Sequence, residues 1–323
     1  MTGVSGSGKS TLLQDVLYPA MARHFGKATE SPGVFRELVG ADQVDDVVFV
    51  DQSPIGKTAR SNPASYVGAF DEIRKLFAKA PLALQRGYTA GTFSFNSGDG
   101  RCPTCGGSGF EHVEMQFLSD VYLRCPDCDG TRYRAEALEV KIERAARGQA
   151  PRALSVADVL ELTVSEATAL FESDPAVLRV LAPIADVGLE YVKLGQPVPT
   201  LSGGEAQRLK LAGFLAEAAQ AQPVKNRKAV VLPKRLFMFD EPTTGLHFDD
   251  IAKLMRAFGK LLDGGHSLIV IEHNLDVIRA SDWIVDLGPE GGDAGGEVVC
   301  VGTPDDVRAC AESHTGRALI HYD

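Results

Sequence analysis

No run of eighteen or more apolar residues occurs in the 323-residue sequence, so no helix is expected to cross a membrane. Residues 1–9 are rich in glycine and serine and lack the charged-then-apolar order of a secretory leader. A cytoplasmic location is the expectation that follows. Self-similarity at solenoid spacing is also absent, which sets aside stacked-repeat folds. Basic charge is in deficit: 33 Lys and Arg against 43 Asp and Glu give a net charge of −10. This excludes coating of nucleic acid by bulk electrostatics but leaves room for a local basic surface. Cysteine is scarce, and four of the six residues fall as two C-x-x-C pairs, a pattern of metal ligands rather than disulfides in a long chain of this kind. Cys300 and Cys310 stand outside that pattern and read as ordinary buried thiols.

What is present suits a large globular chain of about two domains, with 44% hydrophobic and 24% charged residues. Residues 10–23 space Leu12, Leu13, Val16, Leu17 and Met21 as one face of a helix, and residues 47–50 form a strand. Glycine, serine and proline punctuate residues 61–109, and short alternating segments such as 112–117 read as β-ribbon around the cysteines. Residues 155–181 carry a helical period, with Ser155 and Ser165 as expected N-caps, and 204–219 forms another helix. The last third alternates strand (236–239), helix (249–262), strand (267–272), helix (275–280) and strand (283–287). Such alternation gives an α/β fold around a largely parallel sheet.

Gly3-Val-Ser-Gly-Ser-Gly-Lys-Ser10 matches a P-loop, in which small residues let backbone N–H groups wrap phosphates at a helix N-terminus. Gly3, Ser5, Gly6, Ser7, Gly8, Lys9, Ser10 and Thr11 are the candidate ATP-binding residues, Lys9 for the β- and γ-phosphates and Ser10 for Mg²⁺. Leu201-Ser-Gly-Gly-Glu-Ala-Gln-Arg208 places Ser202, Gly203, Gly204, Glu205 and Gln207 at the start of a helix, a second anion-binding terminus whose bland counterpart is a plain Ser202 cap. Leu236-Phe-Met-Phe-Asp240-Glu241 is a buried strand ending in two carboxylates, Asp240 to hold Mg²⁺ and Glu241 to polarise the attacking water. Ile269-Val-Ile-Glu-His273 sets a histidine past the next strand, within reach of a γ-phosphate. Order decides against coincidence, because each element alone has an ordinary structural explanation.

Cys102, Cys105, Cys125 and Cys128 are separated by nineteen residues between the pairs, the spacing of a tetrahedral structural zinc site with no open position. The stretch 57–101 carries seven basic residues against three acidic, with Tyr66, Phe70, Phe77, Tyr88, Phe93 and Phe95 interleaved. That composition fits either a surface for stackable bases or a solvated face over a small core. From 101 to 150 the balance is seven basic to eight acidic, so charge alone does not make the cysteine module a DNA binder.

The P-loop, the LSGGEAQR signature, the paired carboxylates and His273 together resemble ABC ATPases, with Gln52 in Asp51-Gln-Ser-Pro-Ile-Gly56 similar to their Q-loop residue. Arg60-Ser-Asn-Pro-Ala64, Phe93-Ser-Phe-Asn96, Asp240-Glu-Pro-Thr-Thr-Gly-Leu-His247 and the run from Ile271 to Gly292 narrow the resemblance to the second nucleotide-binding half of UvrA. It implies an ABC-type P-loop ATPase core discontinuous over 1–75 and 195–323, interrupted by a zinc-containing signature domain over 76–194. It also implies ATP, Mg²⁺ and Zn²⁺ as cofactors, Glu241, His273 and Gln52 as catalytic residues, and recognition of damaged double-stranded DNA in nucleotide excision repair. Arg101, Arg124, Arg132 and Arg134 are the DNA-contact candidates. The signature is expected to complete the site of an opposite subunit, hence a homodimer or a second ATPase half.

The chain departs from the family in several ways. Only the second half is present, residues 218–235 look longer than usual, and a UvrB-like partner stays open because the family binds UvrB through its first half. With only Met1 and Thr2 ahead of Gly3, the strand before the P-loop is expected to be missing and nucleotide binding to be weakened by truncation. Two alternatives stand beside repair: a transporter-type ATPase subunit, and an incomplete product that binds nucleotide and zinc without turnover.

Overall fold

The computed structural model describes residues 1–56, 60–113, 121–221 and 232–322. Its strands are β1 (Thr2–Gly3), β2 (Asp46–Val50), β3 (Phe110–Val113), β4 (Val121–Arg124), β5 (Ile142–Arg144), β6 (Arg152–Leu154), β7 (Arg235–Asp240), β8 (Ser267–Ile271), β9 (Ile284–Gly288) and β10 (Glu297–Gly302). The chain divides into two compact units, Met1–Asp51 with Val231–Asp323, and Gln52–Val230. The boundaries differ from the expected 75/76 and 194/195, and packing gives the reason. Helix Ala69–Ala78 packs on Pro175–Asp186, which in turn packs on Gly203–Ala221. Residues on both flanks of the expected insert therefore share its core.

In the first unit, β7 lies between β2 and β8 in a parallel ladder. Its Phe237, Met238 and Phe239 are all buried, as a strand covered on both faces requires. A second ladder runs β1-β9-β10, parallel then antiparallel. Met1 joins the two: its nitrogen donates to the Val270 carbonyl at 2.7 Å, and its own carbonyl accepts from the Glu272 N–H at 3.2 Å. Met1 and Thr2, running into Gly3, thus pair where the strand ahead of the P-loop was expected to be missing. The Thr2 hydroxyl donates to the buried Asp286 carboxylate at 2.7 Å, which also accepts from Ser313 (2.6 Å) and Thr315 (2.8 Å), tying helix His314–Ile320 to the sheet. Cys300 and Cys310 are free thiols and partly exposed, not buried as expected.

The helix after the P-loop winds as a π-helix over Thr11–Leu17 before continuing as an α-helix over Tyr18–His24. Pro19 explains the widening, since an α-helical proline lacks the N–H for residue 15 and crowds that carbonyl. The Asp15 carbonyl instead accepts from the Gly33 N–H at 2.7 Å.

In the second unit, the stretch 155–181, with its two expected caps, falls in three helices: Val156–Glu161, Val164–Leu170 and Pro175–Asp186. Ser155 caps the first through a reciprocal box with Asp158, as expected. The second is capped by Thr163 with Glu166, not by Ser165. Only Thr163 has an acidic partner three residues on to close the box. The ribbon around the cysteines is antiparallel β3-β4; beyond Val113 the expected segment 112–117 lies outside the described residues, as do Lys225, Arg227 and Lys228. Phe70, Phe77, Phe93 and Phe95 are buried and pair at 4.9 Å (Phe70–Phe95) and 5.4 Å (Phe77–Phe93). Four of the six interleaved aromatics are therefore a small core and not a stacking surface.

Candidate functional site: a phosphate loop with paired carboxylates and a four-cysteine cluster

Gly3 opens the P-loop at φ +133, where an added Cβ would lie 2.0 Å from the Leu287 carbonyl oxygen. Only glycine fits there. The buried Lys9 ammonium lies on the loop's own carbonyls, 2.8 Å from Val4 and 3.1 Å from Gly3. Burial lowers its pKa, against the opposing pull of Glu241, Asp240 and Asp286. The Ser10 hydroxyl donates to Asp240 at 3.3 Å, and Gln14 reaches the other Asp240 oxygen at 2.6 Å. Hydroxyl and carboxylate oxygens converging beside a buried lysine suit a hard cation and a polyphosphate. Gln14 was not among the sequence candidates, although its position four residues after Ser10 on one helix was a usable signal.

Glu241 follows at φ +45, a left-handed backbone uncommon for a non-glycine residue. Its carboxylate stands 3.4 Å from His273 Nε2, both side chains being about half exposed (46% and 49%). Thr11 is exposed beside the loop, as are Ser5 and Gly6, while Ser7 is buried. Sequence reasoning missed the segment that backs the loop. The Gly292 N–H donates to the Gly6 carbonyl and the Gly296 N–H to that of Ser7, each at 3.2 Å.

In the second unit, Ser202 and Glu205 form the reciprocal cap of helix Gly203–Ala221: Ser202 N–H to Glu205 at 2.8 Å, Glu205 N–H to the Ser202 hydroxyl at 3.3 Å. Burial raises the Glu205 pKa, but the Tyr191 hydroxyl at 2.6 Å and the Ser202 donors outweigh it and hold it low. Gln207 is buried behind the cap. Exposed Gln52 lies against Gly203, where a Cβ would stand 3.2 Å from it, and Lys210 donates to the neighbouring Ser53 at 2.9 Å.

The sulfurs of Cys102, Cys105, Cys125 and Cys128 all lie within 4.8 Å of one another, and Cys105 and Cys128 are 3.7 Å apart. Four thiolates around a tetrahedral zinc at 2.3 Å stand about 3.8 Å apart, so the cluster fits that ion. The spacing is too wide for a disulfide. Burial pushes the Cys105 thiol up, but N–H groups of Gly109 and Gly107 overcome it and bring it to about 7, while burial drives its neighbour Cys128 to about 12. Gly107, at φ +90, admits no side chain, since a Cβ would meet the Phe95 carbonyl at 2.0 Å.

The four arginines separate. Arg124 and Arg134 are exposed and Arg101 is half-buried, its guanidinium donating to Asn96. Arg132 is only 2% exposed, which corrects its place among surface contacts. It stacks over Phe95 (5.0 Å) and Phe110 (5.8 Å) and donates to the Gly195 carbonyl at 2.8 Å.

Over 319 residues, 99% of the chain, the sequence is 52% identical to UvrABC system protein A of Thermus thermophilus and 51% identical to that of Streptomyces coelicolor. The chain is a UvrA homologue. It spans 31% and 29% of those two UvrA proteins. The crystal structure of UvrA2 from Deinococcus radiodurans matches at a TM-score of 0.78 with 47% identity, covering 99% of this chain and 36% of that one. No family model matches the chain. With UvrA as its relative, the fold is an α/β ABC ATPase fold with an added cysteine cluster compatible with zinc. Among the described residues, no helix is long and apolar enough to cross a membrane.

Proposed function

We propose that this chain hydrolyses ATP and couples the cycle to recognition of damaged duplex DNA in nucleotide excision repair, in the cytoplasm, as the second ATPase half of a UvrA. The observation that carries the reading is the convergence of Lys9, Ser10 and Asp240 beside the Glu241–His273 pair. Lys9 and the loop amides bind phosphates, Ser10 and Asp240 hold Mg²⁺, which supplies charge neutralisation when bound, and Glu241 orients water with His273 at its side. Gln52, Ser202, Gly203 and Gly204 serve a site completed by a second copy or a second half. Cys102, Cys105, Cys125 and Cys128 hold zinc as a fold staple. Arg124 and Arg134, with Arg101, offer the charge for phosphates of DNA.

A transporter subunit offers no role for the cysteine cluster. One preparation separates the readings: zinc content is measured together with ATP turnover on lesion-bearing and intact duplexes. One zinc and lesion-stimulated turnover are expected. Turnover indifferent to DNA would remove the repair role, and zinc without turnover would leave a binding protein only.

A further inference from the structure

We propose that Glu272 is a positioning residue that sets the geometry of the Glu241–His273 pair, a role that rests on the ATPase reading above. Glu272 follows β8 directly and is only 3% exposed, an expensive place for a carboxylate unless donors surround it. They do. One oxygen accepts from the Thr243 N–H at 2.8 Å; the other accepts from the Thr243 hydroxyl at 2.8 Å and from the N–H groups of His273 (3.0 Å) and Asn274 (3.2 Å). All four partners are donors, which matches an ionised carboxylate that can only accept.

These donors belong to two separate turns. Thr243 lies in the turn after β7, where the Thr244 N–H closes back on the Glu241 carbonyl at 3.2 Å. His273 and Asn274 lie in the turn after β8, and the Asn274 side chain caps helix Leu275–Arg279. A single side chain therefore ties the turn carrying Glu241 to the turn carrying His273. Across that tie Glu241 keeps its left-handed backbone and its 3.4 Å approach to His273. Glu272 touches neither the P-loop nor the Ser10–Asp240 contact through any of these bonds, so nucleotide binding does not depend on it.

The test uses the full chain with ATP. Glu272→Gln keeps the volume but turns one acceptor into a donor facing a donor. It is expected to lower kcat by about 10–100-fold, the scale of a small misplacement of reacting groups, and to leave the Kd of a non-hydrolysable ATP analogue within about twofold. Combined with Glu241→Gln it is expected to add no further loss, because both act through one group. Should Glu272→Gln fail to fold, Thr243→Val, lowered in kcat, and Thr243→Ser, restored to wild type, carry the same test. Wild-type kcat in Glu272→Gln or in Thr243→Val overturns the proposal, as does a kcat loss matched by an equal loss of nucleotide affinity or one that multiplies with Glu241→Gln. A wild-type chain that does not turn over ATP overturns the ATPase reading and this role together, whereas turnover unaffected by Glu272→Gln overturns this role alone.

Discussion

Replacing Arg132 with methionine separates a structural cation from a DNA contact. The guanidinium faces two rings, at 5.0 and 5.8 Å, and desolvated cation–π contacts contribute about 1–2 kcal/mol each. Its charged hydrogen bond to Gly195 adds about 1.5–3 kcal/mol, and the substitution leaves that carbonyl without this donor. Against this, methionine removes the cost of burying a charge, the same burial that lowers the Arg132 pKa, which offsets part of the loss. The net expectation is a destabilisation of about 2–3 kcal/mol, or roughly 5–10 °C in the transition of the middle unit. Thermal unfolding of the zinc-loaded chain, followed by circular dichroism, measures it, and fluorescence anisotropy measures duplex affinity on the same samples. Arg134→Ala is expected to do the reverse, weakening duplex binding with its melting temperature nearly unchanged. An Arg132→Met chain that melts like wild type yet loses DNA binding would refute the burial reasoning.

Other expected outcomes follow the same logic. Glu241→Gln is expected to retain nucleotide binding while slowing hydrolysis by at least about a hundredfold, whereas Lys9→Ala weakens nucleotide binding itself, both checked by phosphate release and equilibrium binding. Elemental analysis is expected to give one zinc per chain, and Cys125→Ser to lose it and expose residues near the cluster to protease while the Met1–Asp51 and Val231–Asp323 unit stays resistant. Lys9→Ala and Ser202→Arg chains, each inactive alone, are expected to restore partial turnover when mixed; a mixture as inactive as its components would argue against a shared site. Thr163→Ala is expected to cost about 1 kcal/mol in denaturant unfolding and Ser165→Ala close to nothing, as only the former breaks a capping box.

Strands β2, β7, β8 and β9 and the helices among them were legible because each is an apolar run or a 3.6-residue period bounded by clear punctuation, whereas the short β1 was not. Predicted strand 236–239 differs from Arg235–Asp240 by one residue at each end. The chemistry was legible where it is a local spelling: the phosphate loop, the paired carboxylates, the two cysteine pairs. The expected cap at Ser165 set a helix start within two residues of the observed one, but periodicity could not fix the breaks at Leu162 and Phe171, which follow from Thr163 capping the second helix and from tertiary bonds such as Leu194 N–H to the Leu162 carbonyl at 2.9 Å. Nor could composition say that Phe93 and Phe95 face inward, or that Arg132 lies between rings thirty-seven and twenty-two residues away in sequence. Glu272 escaped notice for the same reason. Its partners on Thr243 come from a different loop, and a lone carboxylate at a strand end has no sequence signature.

Single-turnover phosphate release on a lesion-bearing duplex, comparing the wild-type chain with Glu241→Gln at saturating ATP, tests most directly whether Lys9, Ser10, Asp240, Glu241 and His273 form a working hydrolytic site. Release from the wild type that rises with the lesion and nearly vanishes in Glu241→Gln is the predicted result. Equal release from both chains, with or without the duplex, would contradict it.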